Sequence, residues 1–225
     1  QHLEIVPPRP AVRHEAMRFP VQYVVRPNAE FRGFAGQVSS GTIRPGDEVL
    51  ALPSGEKTRV RSIATYDGEE AEAFAPMSVT LTLEKEIDLS RGDMLVSPEE
   101  PPHISRNFQA MVVWFNAEPL GLGRNYLIKH NVHTARAKAT KIGYRVDMQT
   151  LDQDPASELR MNDIGEVEFE AASPLYFDAY DRNRITGSFI LIDPLTNATV
   201  GAAMIRGELP PNATSSFPGE AIAVD

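Results

Sequence analysis

Six cations, Arg124, Lys129, Arg136, Lys138, Lys141 and Arg145, lie between Pro119 and Val146 with no acid among them. Such a cluster could hold a phosphate-bearing ligand or dock an acidic partner. Arg136, Lys138, Lys141 and Arg145 are the candidate docking residues. They fall on one long strand pattern that contains a bulge, which would spread them over both sides; a solvated barrel face is the competing reading. His130 and His133 stand three apart in a strand-like stretch, which sets them on opposite faces and argues against a shared metal. The sequence contains no G-x-x-x-x-G-K-[ST] loop, no G-x-G-x-x-G after a strand, no H-E-x-x-H and no G-x-S-x-G. No pair of carboxylates stands out as a general acid and base. No catalytic, cofactor-binding or metal-ligating residue is therefore assigned.

The densest backbone signal is residues 32–47. Gly33, Gly36, Gly41 and Gly46 punctuate a β pattern, Pro45 sits just before the last of them, and a Gly-Asp step leads into Glu48-Val49-Leu50. Glycine serves where a backbone needs positive φ or a neighbour leaves no room for a Cβ. The spacing fits a bulged corner of a small barrel, and it fits an ordinary Gly-rich hairpin as well.

These groups must be positioned by β structure. Runs rich in Val, Ile, Thr and aromatics recur about every 8–12 residues between turn residues. The first set is Arg18–Arg26, Phe34–Ser40, Glu48–Ala51, Thr58–Thr65, Ser78–Leu83 and Asp93–Val96. Asp67–Phe74, with four acids, reads as an exposed helical turn. After Pro98-Glu99-Glu100-Pro101-Pro102 the rhythm restarts with Phe108–Phe115, Tyr126–Lys129, Thr134–Met148, Ile164–Ala171, Ser188–Ile192 and Thr199–Ile205. The expected fold is all-β: a Pro-rich linker at 1–16, two consecutive six-stranded β-barrels at 17–102 and 103–206, and a flexible tail at 207–225. Within Thr134–Met148 the inward set changes from Ala135, Ala137 and Ala139 to Ile142, Tyr144 and Val146. That change of parity predicts a bulge or bend at Thr140–Lys141. Trp114, beside Val112, Val113 and Phe115, reads as packing rather than recognition.

The chain has 225 residues, no cysteine and a formal net charge of −9. Disulfides, thiolate metal sites and a cysteine nucleophile are excluded, and a reducing compartment, the cytoplasm, is expected. No apolar run reaches the length that spans a membrane. Residues 17–102 hold nine basic and fourteen acidic groups, which argues against broad nucleic-acid binding.

Arg32-Gly33-x-x-Gly36-x-Val38-x-x-Gly41-x-Ile43-x-x-Gly46-Asp47 resembles the hallmark of the second domain of translation-factor GTPases of the elongation factor Tu class. Further stretches narrow the resemblance. They include Ser90-Arg91-Gly92-Asp93-Met94-Leu95-Val96, Asn162-Asp163-Ile164-Gly165-Glu166-Val167, and Ile192-Asp193-x-x-Thr196-Asn197-x-Thr199-Val200-Gly201-Ala202. Together they are similar to the large, GTP-binding subunit of bacterial sulfate adenylyltransferase (ATP sulfurylase). The resemblance implies a G domain followed by two barrels, of which this chain would be the barrels and Gln1–Glu4 the last turn of the missing G domain. GTP and Mg would bind in that G domain, with no cofactor in this chain. It also implies partners: the G domain itself, a catalytic subunit that makes adenylylsulfate from ATP and sulfate, and a fused adenylylsulfate kinase in some relatives. Phe31, Arg32, Gly33 and Gly36 are the candidate interdomain contacts. Ala203 stands where such sequences carry glycine, and would be strained if that position needed positive φ. A second reading takes the barrels as tRNA-binding, as in elongation factors.

Overall fold

The computed structural model describes residues 15–28 and 31–211. The expectations for the end of a preceding domain, most of the Pro-rich linker and the tail beyond residue 211 lie outside the described residues. Two compact units divide the chain, one ending at Pro101 and the other beginning at Pro102. No helix among the described residues is long and apolar enough to cross a membrane.

The first unit contains β1 (Arg18–Val25), β2 (Gly33–Gln37), β3 (Thr42–Ile43), β4 (Glu48–Leu52), β5 (Glu56–Thr65), β6 (Gly68–Glu70), β7 (Ala73–Phe74), β8 (Ser78–Leu83) and β9 (Met94–Val96). Six strands pair antiparallel in the circuit β4-β9-β1-β2-β8-β5, and β5 returns to β4. Closure removes the edges that a short open sheet would expose. The inward set is built from alternate positions such as Phe19, Val21, Phe34, Val49, Val60, Ile63 and Leu81, all buried.

The glycine-rich segment is a corner and not a hairpin. β2 lies between β1 and β8, whereas β4 lies between β5 and β9, so the strands flanking the segment never pair with each other. At Gly36 the wall of the barrel leaves no room for a side chain: a Cβ would fall 2.4 Å from Pro20 O and 3.0 Å from the Phe19 ring. The close approach coincides with a bulge in β1, where Val21 pairs with Gly36 but Tyr23 pairs with Ala35. Gly41 combines φ +73° with backbone of Met17 2.6 Å from where a Cβ would lie.

The helical turn expected at Asp67–Phe74 is instead β structure. Thr65 pairs with Gly68 across a two-residue turn, and β6 hydrogen-bonds back along β5. Gly68, at φ +133°, closes that turn in a conformation foreign to a helix, and β7 pairs with β3.

The second unit contains β10 (His103–Trp114), β11 (Asn125–His130), β12 (His133–Val146), β13 (Gln153–Asp154), β14 (Ile164–Phe177), β15 (Ser188–Ile192) and β16 (Thr199–Glu208). Its circuit is β11-β15-β16-β10-β14-β12, closed by β12 on β11. The core is aromatic: Phe108 lies 5.7 Å from Phe169, 5.8 Å from Phe177 and 5.6 Å from Phe189 between ring centroids. Trp114 is buried in the same core, and its Nε1 donates to Glu118 O at 2.7 Å. Ala203 is buried opposite Phe189 and is not among the residues with positive φ, so alanine is unstrained there.

The bulge expected at Thr140–Lys141 is present: Ala139 pairs with Phe169 and Lys141 with Glu168, leaving Thr140 as the extra residue. A second irregularity follows at Gly143. β14 runs past Ala171 through Pro174, because the ladder to β10 is already broken there, with Asn107 opposite Glu170 and Ser105 opposite Leu175.

One turn recurs ahead of three strands, in both units. In Arg44-Pro45-Gly46-Asp47, Ser90-Arg91-Gly92-Asp93 and Arg160-Met161-Asn162-Asp163 the first amide donates to the aspartate carboxylate at 2.8, 2.7 and 2.7 Å. The aspartate amide donates back to the first carbonyl, and the third residue has φ of +92°, +102° and +70°. This is a type II turn locked by an acid, and it explains why Gly-Asp or Asn-Asp precedes β4, β9 and β14.

Candidate functional site

Two surfaces carry the residues singled out in the sequence. On the first barrel, Phe31, Arg32 and Gly33 lie at the start of β2. Phe31 is half-buried, and its amide donates to Asn28 Oδ1 at 2.9 Å. It packs over Gly33, where a Cβ would meet Phe31 Cε1 at 2.9 Å and Thr80 Cγ2 at 2.5 Å. Arg32 reaches Asp88 at 3.2 Å and stacks its guanidinium 5.4 Å from the Phe34 ring centroid. Its Nε is buried and has no hydrogen-bond partner among the described residues. A groove of about 420 Å³ opens beside Phe31, walled by Gln22, Val25, Ala35 and Thr80. Gly36 belongs to the barrel wall, as its contacts with Pro20 and Phe19 show. The geometry thus packs Phe31 over the buried Gly33 with Arg32 beside it, and it brings Gly36 into the lining of the same groove while giving it a packing role against β1.

On the second barrel the bulge at Thr140 alters the expected dispersal of the cations. Ala135, Ala137, Ala139 and Ile142 all face inward, so Arg136, Lys138 and Lys141 share the outer face. They do not form a bare basic patch. Glu166, Glu168 and Glu170 of β14 stand opposite Tyr144, Lys141 and Lys138 in the ladder. Lys141 Nζ donates to Glu168 Oε1 at 2.9 Å, and this bond raises the Lys141 pKa above its ordinary value. Arg145 lies 3.6 Å from Asp154, while Arg136 is exposed opposite Leu127. Glu170, buried, lies 3.9 Å from Arg106 Nη2. Arg124 is drawn to Asp193 at 2.6 Å and to Glu118 at 2.9 Å. The carboxylates lie outside the acid-free stretch, on β14 and on the connections at 115–124, 147–163 and 193–198, so that stretch alone misrepresented the charge on this face.

His130 and His133 are not two positions of one strand. A two-residue hairpin makes them cross-strand partners. His130 is buried, and its Nε2 lies 2.6 Å from Thr186 O, a carbonyl that only accepts, so Nε2 carries the proton. Burial pushes the His130 pKa down, with the bond to Thr186 acting the other way. Thr186 Oγ1 donates to Asp178 at 2.7 Å. This network ties the 178–187 loop to the barrel.

The sequence reading missed an apolar groove of about 760 Å³ on the outer face of β10, β15 and β16. Its floor includes Val113, Ile190, Ala202 and Met204, and Lys129, Tyr180 and Arg184 line it. The signal was available: Ala110–Phe115, Phe189–Ile192 and Val200–Ile205 are unbroken apolar or small runs, the pattern of strands covered on both faces.

Comparison with known proteins places the fold and the kinship. The GTP-eEF1A C-terminal domain-like family matches residues 107–206. Solved structures of Sup35 complexed with GMPPNP (TM-score 0.77, 18% identity, 88% of this chain and 48% of that one) share the fold. So does translation elongation factor SelB from Methanococcus maripaludis (TM-score 0.72, 17% identity, 93% and 46%). In sequence the chain is similar to sulfate adenylyltransferase subunit 1 of Bacteroides fragilis, 52% identical over 188 residues, 84% of this chain and 40% of that protein. It is 51% identical to the Shewanella woodyi subunit 1 over 204 residues, 91% and 44%. The bifunctional enzyme CysN/CysC of Rhodopirellula baltica is 48% identical over 84% of this chain and 29% of its own length. The chain is therefore similar over most of its length to sulfate adenylyltransferase subunit 1 proteins, and it spans about two fifths of the length of the first two relatives.

Proposed function

We propose that this barrel pair is the non-catalytic platform of a sulfate adenylyltransferase GTPase subunit, relaying GTP hydrolysis in a G domain to a catalytic subunit. The observation that carries this reading is the roughly half identity to subunit 1 proteins across both barrels. The catalytic subunit would join sulfate to the adenylyl group of ATP and release pyrophosphate, and GTP hydrolysis would drive that unfavourable step. GTP and Mg would sit in the G domain, and the kinship with a CysN/CysC enzyme supports a fused adenylylsulfate kinase in some relatives.

Two closed barrels suit a relay because their cores are close-packed and resist deformation. A loop that orders around a γ-phosphate and releases on hydrolysis can then displace a barrel as a body. Phe31 and Arg32 are the proposed contact with the moving domain: a half-buried ring beside a groove, and an arginine with one buried nitrogen unpaired. The apolar groove of the second barrel offers a further seat for a neighbouring domain. The tRNA-binding reading is not favoured, since the relatives matched at high identity are sulfate adenylyltransferase subunits and the translation factors share the fold alone. Purified chain incubated with GTP, and separately with ATP and sulfate, is expected to release neither phosphate nor pyrophosphate; turnover of either set contradicts a non-catalytic platform.

A further inference from the structure

The second barrel has two unlike ends. The chain enters at His103 and leaves beyond Glu208, and His103 Nδ1 lies 3.3 Å from Glu208 Oε2, so both connections occupy one end. β10 then runs roughly 36 Å, at about 3.3 Å per residue, before it stops at Trp114. Three connections form the far end: 115–124, 147–163 and 193–198. Their ends meet there, since Val146 pairs with Ile164, Trp114 with Gly201, and Trp114 N donates to Asp163 O.

Six large apolar side chains are exposed at that far end: Phe115, Leu122, Met148, Leu151, Met161 and Leu195. Large exposed apolar groups carried on all three connections at one end of a barrel make that end the candidate interaction surface. Leu151 adds an independent sign. It is 72% exposed and holds φ +64°. Asn197 occupies the equivalent place, at φ +58°, in a loop of the same build, where Asp193 accepts the amides of Leu195 and Thr196 as Asp147 accepts those of Gln149 and Thr150. Asparagine suits that backbone and leucine does not. A strained backbone that presents leucine to solvent is a feature that folding alone disfavours.

Charge identifies the kind of partner. The three connections hold seven carboxylates and two arginines. Both arginines are already engaged, Arg124 with Glu118 and Asp193, and Arg160 with Glu158. An acidic rim around apolar tips fits a protein face with basic groups around apolar recesses, and it repels anionic lipid and nucleic acid.

We infer that the far end of the second barrel is where the separate adenylyltransferase subunit docks, through a basic, apolar-recessed face of that subunit. The inference rests on the function proposed above and replaces the outer cations of β12 as the docking surface. Full-length GTPase subunit and purified partner subunit provide the test, with affinity read by biolayer interferometry and self-association by sedimentation. Leu151→Asn removes an apolar tip while easing the backbone, so a merely structural role gives an equal or higher melting temperature with unchanged affinity. Docking instead gives about tenfold weaker binding with no loss of melting temperature, and about hundredfold when Leu195→Asp is added. Ile104→Asp, at the opposite end of the barrel, is the control and leaves affinity within about twofold. Equal affinity of wild type and double variant overturns the inference. So does loss of a wild-type self-dimer with partner affinity unchanged, which would make a second copy the occupant. No binding by the wild type overturns the proposed function itself, and the inference with it.

Discussion

In the first barrel, among the described residues, only Tyr23 and Tyr66 expose large apolar side chains, whereas the second exposes eight, six of them at one end. The two barrels close by the same kind of six-strand circuit, so closure does not set this difference. The first barrel's irregularities lie in its wall, where Gly36 and Gly41 let backbones meet too closely for a side chain. The second barrel has the same feature, since a Cβ at Gly165 would lie 2.6 Å from Tyr144 O, but it adds a bulge that holds cations on one face, an apolar groove, and loops that present leucine and methionine to solvent. The comparison separates a barrel constrained by its packing from one that also presents apolar surface to other molecules.

Substitutions can break that contrast from either side. The largest effect is expected in the second core, where Phe108→Ala empties the centre of a ring cluster and should lower stability by about 3–5 kcal/mol. Denaturant unfolding gives the magnitude, and hydrogen exchange should show the loss in β10, β14 and β15 with the first barrel unaffected. Gly36→Val tests the first barrel's wall. A Cβ placed 2.4 Å from Pro20 O must push β1 and β2 apart, at about 3 kcal/mol, with exchange rising in those strands instead. If Gly36→Val folds with wild-type stability, the wall is softer than the contrast requires. It also follows that Gly36 cannot serve to probe a domain contact, because its substitution damages the barrel first.

A smaller effect separates the units by pH. The folded-state pKa of His130 lies below the usual 6.5 because burial disfavours the cation, with His133 adding to that and Asp178 opposing it. The stabilisation from the neutral ring is complete above about 6.5 and is lost as pH falls from there through the folded value. The melting temperature of the second unit should therefore drop between pH 7.5 and 5.5, and the drop should shrink in His130→Gln. A drop of the same size in that variant would remove His130 as its source. Below this window, Asp147 and Asp193, held under their usual 3.8 by backbone amides, keep their loops in place until pH falls past that value.

Much of this architecture was legible in the residues. Ser78–Leu83 and Ser188–Ile192 have the same bounds in sequence and structure, because strict runs of β-formers end at turn residues. The bulge at Thr140 was legible because three alanines and then Ile142 switch parity, which a regular strand cannot accommodate. The hairpin at Tyr66-Asp67 was hidden by four acids that resemble a solvated helical turn; its cause is Gly68 and the pairing to β5. The passage of β14 through Pro174 depends on a ladder already broken, which no local pattern reveals. Among candidate site residues, the cations of β12 were visible, but the partners that neutralise them belong to β14 and to the 147–163 connection. The glycines of residues 32–47 were visible, yet only the contacts of a missing Cβ distinguish Gly33, which seats Phe31, from Gly36, which fits the wall. Exposure of Leu151 and Leu195 is a tertiary property, and apolar loop residues alone do not disclose it.

The proposed relay is tested most directly by the number of adenylylsulfate molecules made per GTP hydrolysed. The measurement uses the full-length subunit with its adenylyltransferase partner, wild type against Phe31→Ala, a truncation at a half-buried surface ring. The expected result is a ratio about tenfold lower in the variant, with GTP hydrolysis and the fold retained. An unchanged ratio in a folded variant would contradict the placement of the relay at Phe31, in the connection between β1 and β2.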